Sequence, residues 1–236
     1  MRLPALLAAL LLASLLAGCS GSGPGSGPAA TPAASAACKG VTRASLSGVP
    51  ANHTVALLST SKGCVVAELF DDKAPITVAN FRAYASESFF DGTLFHRIVK
   101  GFMVQGGGMN GTGQFKTPTH PPIKNEAATS GLKNTKFTLS MARLGQTCNP
   151  DRTNCHDQPD SATDQFFIND ADNSFLDPSG SSAGYAVFGH VVQGQDVVEA
   201  IAAVPVEAYA AGKHCQPDNQ PSCPTVDVVL TSVRLL

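Results

Sequence analysis

The chain has 236 residues, enough for one large domain or two small ones. Hydrophobic residues make up 43% and charged residues 14%, a balance that suits a packed core. The formal net charge of −2 gives no electrostatic footprint for nucleic acid, and tryptophan is absent altogether.

Residues 1–18 read as an address rather than as part of a fold. Arg2 is the only charge before a run of Leu and Ala, a short n-region followed by an h-region. The run is too short, and wrongly flanked, for a spanning helix. It ends in Leu16-Ala17-Gly18-Cys19, which resembles the lipobox of bacterial lipoproteins. That resemblance implies cleavage before Cys19 and acylation of Cys19. Ser20, rather than Asp, follows the cysteine, which implies an outer-membrane destination facing the periplasm. From Ser20 to Ala37 the chain holds only Gly, Ser, Pro, Ala and Thr. It has too little apolar surface to fold and is expected to be a tether between lipid and domain. The domain itself is expected to span 38–236.

Within it, His53–Leu58 and Gly63–Phe70 read as a β-hairpin with Lys62-Gly63 in the turn. Pro75 suits the first turn of a helix running toward Ala85, with Val78, Phe81 and Ala85 facing the core. Asp91-Gly92 is a turn signal, and Gly111–Pro122 reads as a surface loop. Phe137–Met141, Gln165–Ile168, Tyr185–Val192 and Val226–Leu235 read as strands. Asp196–Ala203 reads as a second helix that turns Val197, Val198, Ile201 and Ala202 to one side. The pattern alone gives an all-β or α+β class. The glycines from Gly106 to Gly113 lack the Gly-Lys-Ser/Thr ending and following helix of a phosphate loop, so phosphate binding is set aside.

The most informative stretch is FHRIVKGFMVQGG, from Phe95 to Gly107. Arg97 lies among Phe95, Ile98 and Val99, and a charge placed among groups that favour burial needs a partner or a purpose. A strand whose arginine snorkels to solvent is the plain alternative. This stretch resembles the signature of cyclophilin-type peptidyl-prolyl cis-trans isomerases, in a form similar to the bacterial branch. The likeness continues through NEAATSGLKNTKFTLSMAR (Asn125–Arg143), SATDQFFIND (Ser161–Asp170) and FLDPSGSSAGYAVFGHVVQGQDVVEAI (Phe175–Ile201). It implies a mainly β fold, a closed eight-stranded antiparallel barrel capped by two α-helices. It also implies rotation of Xaa-Pro bonds in proline-containing peptides and unfolded proteins, with no metal and no cofactor. The protein is expected to assist folding in the cell envelope and to act as a monomer. A tethered proline-peptide binding module or chaperone with little catalysis is the alternative.

The resemblance assigns roles by position. Arg97 is the catalytic donor. Phe102, Met103, Phe167 and Leu176 match the proline pocket, and Gln105 matches the amide that contacts the substrate backbone. Ala142 and Arg143 match the pair that lines the groove with main-chain hydrogen bonds, with Gln165 nearby. Phe175 stands in the place of a tryptophan whose indole N–H, in the family, binds cyclosporin. Tyr185 stands in place of a histidine, and Arg143 in place of an asparagine. Phe166 and Ile168 should point opposite to Phe167 and pack in the core, and His96 should point away from Arg97.

Seven cysteines remain to be placed. With Cys19 lipidated, six are left in an envelope that permits oxidation, and six allow 15 pairings. Cys148 and Cys155 lie in GQTCNPDRTNCHDQPD (Gly145–Asp160), a polar stretch that looks like an insertion between two site motifs. The expected pairs are Cys148 with Cys155, Cys215 with Cys223 across a polar loop, and Cys38 with Cys64. Metal binding through Cys148, Cys155 and His156 is the alternative, on a spacing that matches no common zinc site. The insertion, at about 145–160, should border the groove. No Cys-Xaa-Xaa-Cys occurs, which argues against a thiol oxidoreductase.

Overall fold

The structure is a computed structural model that describes residues 38–145, 147, 148 and 155–236, with 147, 148 and 155 as backbone alone. The leader, Cys19 and the tether lie outside the described residues, as do the side chains of Cys148 and Cys155.

In chain order the elements are β1 (Val55–Thr60), β2 (Gly63–Leu69), α1 (Pro75–Ser86), β3 (Thr93–Leu94), β4 (Arg97–Val99), β5 (Met103–Gly106) and β6 (Met109–Asn110). There follow α2 (Ala127–Ser130), β7 (Thr138–Met141), β8 (Thr147–Cys148), β9 (Cys155–His156), β10 (Phe166–Asn169) and β11 (Val187–Gln193). The chain ends with α3 (Gln195–Ala202), β12 (Val206–Glu207), β13 (Cys223–Pro224) and β14 (Val229–Leu235).

Ten of the strands form one antiparallel sheet, ordered β4-β5-β10-β7-β11-β2-β1-β14-β3-β6. Its two ends are tied together by the chain itself. Phe95-His96 joins β3 to β4, and Gly107-Gly108 joins β5 to β6. The sheet therefore curls round on itself, as expected of a mainly β, helix-capped barrel. The strand count differs from the expected eight because two strands are each broken in two. At the second break Gly107 has φ of 94°, in the region that favours glycine. A side chain on Gly108 would run into Gln165. These glycines serve a close approach between strands.

The hairpin turn falls one residue earlier than the spacing suggests. Ser61 and Lys62 form it, and Gly63 already pairs with Thr60 as the first residue of β2. The Thr60 hydroxyl locks the turn: it donates to the Gly63 carbonyl (2.8 Å) and accepts from the Lys62 N–H (3.1 Å). The last strand begins at Val229 because Val226 stays exposed and outside the ladder. The one-turn helix α2 and the small ribbons β8–β9 and β12–β13 were not expected, since elements of two to four residues carry too few positions for a periodic signal.

The core fills one side of the curled sheet. From α1, Val78, Phe81 and Ala85 are buried as expected, and Tyr84 joins them. Phe81 meets Phe90, Phe188 and Phe166 with ring centroids 5.0, 5.2 and 5.5 Å apart, spacings at which aromatic pairs add to simple burial. Helix α3 buries Val198, Ile201 and Ala202, with Val197 partly covered. A satellite cluster of Cys38, Leu46, Val55, Leu57 and Val66 packs the segment ahead of β1 onto the outer face of the hairpin. There Cys38 is bonded to Cys64.

Helix α1 has Pro75 at its start, but Ala74 in the N-cap position offers no side-chain acceptor. The orphan amides of the first turn are satisfied from far along the chain. Buried Glu126 accepts from the Ile76 N–H (3.1 Å), the Thr77 N–H (2.8 Å) and the Thr77 hydroxyl (2.6 Å). A carboxylate at a helix N-terminus also meets the favourable end of the helix dipole. Glu126→Ala should therefore lower unfolding stability by about 2–3 kcal/mol. Chemical denaturation checks this, and a loss under about 0.5 kcal/mol, the range of an ordinary surface change, would count against the capping role.

Candidate active site

Strands β4, β5 and β10 lie side by side at one end of the sheet. Their register sets Arg97 opposite Gln105, and Gln105 opposite Phe167. The next same-face row is Val99, Met103 and Asn169. The row between them, Ile98, Val104 and Ile168, faces the other way into the main core, and so does Phe166. Period-two alternation thus divides the three strands into a core face and a groove face.

The groove has a volume of about 470 Å³. Its apolar floor is a separate cluster of buried Met103, Phe167 and Leu176, flanked by Val99, Phe102, Ala142 and Tyr185. Arg97, Gln105, Arg143 and Gln165 complete the expected lining. Gln105 donates from Nε2 to Oε1 of Gln165 (3.0 Å). Phe175 does not line the groove. It lies outside, 68% exposed, with its ring 5.4 Å from that of Phe102.

A buried amide network holds the Phe102 corner. Asn173 and the Asp170 N–H both donate to the Phe102 carbonyl at 2.8 Å, and Asp170 accepts from the Gly101 N–H (2.7 Å). Asn173 also donates to Asn169 (2.7 Å), which donates to the Thr138 hydroxyl (2.9 Å). Such satisfied networks fix one arrangement.

Arg97 is largely buried, and its Nε donates to Oδ2 of Asp218 at 2.6 Å. Its Nη1 approaches the Met103 sulfur at 3.7 Å, over the apolar floor. Burial alone would push the Asp218 carboxyl up, but the hydrogen bond and charge of Arg97, together with hydrogen bonds from the Asn219 N–H and Ser222, outweigh it and hold it below the ordinary carboxylate range. His96 points away from the groove, its ring 5.2 Å from that of Phe115. Neither His96 nitrogen has a partner in hydrogen-bond geometry. Burial pushes its pKa down to about 4, against weaker opposing influences from Leu94, Gln216 and Gln165, so at neutral pH it places no second charge beside Arg97.

Arg143 is held still more firmly, with a side chain only 4% exposed. Its Nη1 and Nη2 donate to the two oxygens of Asp157 (2.5 and 3.2 Å), and its Nε donates to the Gly184 carbonyl (2.8 Å). Its guanidinium carbon lies 4.7 Å from the centre of the Tyr185 ring. The hydrogen bonds from Arg143 hold the Asp157 carboxyl below its usual range. Asp157 belongs to the expected insertion, of which Gly145 is in the groove lining. Backbone register sets Cys148 opposite Cys155 in the β8–β9 ribbon. Cys215 and Cys223 are joined by a disulfide. Among the described residues no group of His, Cys, Asp and Glu has the geometry of a metal site.

The structure adds Leu144, Gly145, Ser161, Thr163 and Gln216 to the lining, and Asp218 behind it. Ser161 and Thr163 lie within a motif already singled out. Gln216 and Asp218 gave no signal, because Asp218 meets Arg97 across 121 residues of sequence.

Residues 55–231 match the family model for "Cyclophilin type peptidyl-prolyl cis-trans isomerase/CLD". A peptidyl-prolyl cis-trans isomerase of Acinetobacter baylyi is 47% identical over 72% of this chain and 81% of its own length. Peptidyl-prolyl cis-trans isomerase B of Escherichia coli is 45% identical over 75% of this chain and 96% of its own. Isomerase A of Dickeya dadantii is 41% identical over 83% and 92%. A crystal structure of a cyclophilin-type isomerase from Cryptosporidium parvum superposes with a TM-score of 0.60 at 22% identity, over 78% of this chain and 98% of that one. The solved fold agrees with the curled sheet, and the bacterial relatives are 41–47% identical over most of the chain. The chain belongs to the cyclophilin-type peptidyl-prolyl cis-trans isomerases.

Proposed function

We propose that Arg97 is the donor that drives isomerisation, and that the floor beside it seats the substrate proline. The reaction is rotation about an Xaa-Pro amide, against a resonance barrier of about 18–20 kcal/mol. Bringing an event of tens to hundreds of seconds to about a millisecond takes roughly 5.5–7 kcal/mol. In the twisted amide the nitrogen regains a lone pair that the planar ground state lacks. A donor aimed at that nitrogen binds the transition state more strongly than the substrate, which is the condition for catalysis. One charge-assisted hydrogen bond supplies about 1.5–3 kcal/mol. The rest comes from holding the amide out of water and fixing its carbonyl side.

The observation that carries this reading is the placement of Arg97. Its Nε edge is taken by Asp218, and Nη1 lies over Met103 at the pocket floor. Met103, Phe102, Phe167 and Leu176 take the proline ring. Gln105, supported by Gln165, and the segment after β7 that carries Ala142 and Arg143 hold the peptide on either side, with Tyr185 closing the far wall. The substrates are proline-containing segments of unfolded envelope proteins. Two disulfides among the described residues, Cys38–Cys64 and Cys215–Cys223, suit an oxidising compartment. The Leu16-Ala17-Gly18-Cys19 run supports a lipid anchor on Cys19.

Arg97→Ala should lower kcat/KM for a proline peptide roughly a hundredfold while circular dichroism stays unchanged; near-full turnover would sink the assigned role. Phe175 has no N–H to offer cyclosporin, so Phe175→Trp should tighten inhibition about tenfold, and titration of both proteins decides it. Cys19→Ala should abolish fatty-acid labelling of the full chain, because it removes the residue proposed to carry the acyl chains. Continued labelling would rule out that site.

A further inference from the structure

The segment between β12 and β13 is a loop closed at its far end by the Cys215–Cys223 disulfide. It docks on the outermost strand of the sheet, where the Ile98 N–H donates to the Ser222 carbonyl (2.9 Å) and Ser222 is buried. The loop thereby covers the free edge of β4, the strand that carries Arg97. It also brings Gln216 into the groove wall.

Asp218 projects from this loop onto Arg97. The two side chains are only 15% and 16% exposed, and the Nε–Oδ2 distance of 2.6 Å is that of a charge-assisted bond. The carboxylate is itself held, since Oδ1 accepts from the Asn219 N–H (2.7 Å). An arginine side chain has many rotamers, and ordering one carries an entropic cost. Asp218 takes the Nε edge of the guanidinium and leaves Nη1 over Met103 at the pocket floor. The nitrogen lone pair of a twisted amide is a neutral acceptor. What it asks of Arg97 is a donor at a fixed position, and partial neutralisation of the charge is tolerable.

We propose that Asp218, presented by the disulfide-closed loop 215–223, is a positioning residue that fixes the Arg97 guanidinium for proline isomerisation. The proposal rests on the assignment of Arg97 as the donor and adds the group that aims it.

The test is a mutant cycle on the full chain with a proline-peptide isomerisation assay. Asp218→Ala should lower kcat/KM about tenfold, chiefly in kcat, because a misaimed group slows the chemical step while the proline pocket stays intact. Asp218→Asn keeps an acceptor for the Nε–H and should recover part of the loss. Combined with Arg97→Ala, Asp218→Ala should cost nothing further. The Arg97 Nε–H signal in the nitrogen-15 NMR spectrum should move on Asp218→Ala while the amide spectrum away from the loop stays put. The double variant Cys215→Ala/Cys223→Ala should fall toward the Asp218→Ala value.

Turnover unchanged or raised in Asp218→Ala, with Arg97→Ala inactive, would overturn the positioning role and leave the assignment of Arg97 standing. An equal loss in the Arg97→Ala background would also overturn it, as a general structural effect. Full activity in Arg97→Ala would remove both readings. Full activity in the double cysteine variant would overturn the part given to the disulfide.

Discussion

The register that sets Arg97, Gln105 and Phe167 abreast across β4, β5 and β10 is the constraint on which the site depends. A slip of one residue in either pairing would exchange the two faces. Ile98, Val104 and Ile168 would then stand in the groove, and a guanidinium would enter the aromatic core. The core holds the register in place, because those apolar side chains have one buried destination. Packing on one side of the sheet thus supplies the precision of the groove on the other. The amide network through Asn169 and Asn173 extends that precision to the Phe102 corner, beyond the end of the ladder.

Both arginines of the groove are finished by chain outside the central sheet. Asp218 comes from the loop before β13, and Asp157 from the segment before β10. In each case a mostly buried guanidinium meets a carboxylate whose pKa is depressed. A buried arginine without such a partner would carry a large desolvation cost. The two peripheral segments therefore complete the site electrostatically as well as by shape. Arg143, locked at three of its nitrogens and stacked on Tyr185, is part of the wall.

Much of this was legible in the sequence, for physical reasons that differ from part to part. Helices α1 and α3 showed themselves through apolar spacing and Pro75, and the alternation around Phe167 separated groove from core. The strand breaks at Phe95-His96 and Gly107-Gly108 were hidden, since a run of suitable residues does not reveal where its ladder is interrupted. The cap on α1 was hidden too, because Glu126 lies 50 residues from Ile76. Asp157 and Asp218 carried no local mark at all: an aspartate in a polar loop looks the same whether it meets solvent or an arginine. Phe175 matched a groove position by sequence yet stays largely exposed, its ring tilted against that of Phe102.

The Cys38–Cys64 bond has a mechanical consequence. Cys64 is the second residue of β2, paired with Ser59 beside the hairpin turn. Any pull on the chain ahead of Cys38 is delivered through the covalent bond straight to that hairpin. Residues 39–54, which pack through a small satellite cluster and through His53 and Thr54 onto Glu68 and Asp71, lie outside the load path and cannot be peeled away first. Force reaches the β1–β2 ladder, on the far side of the sheet order from β4 and β5, so a pull applied ahead of Cys38 spares the register of the groove.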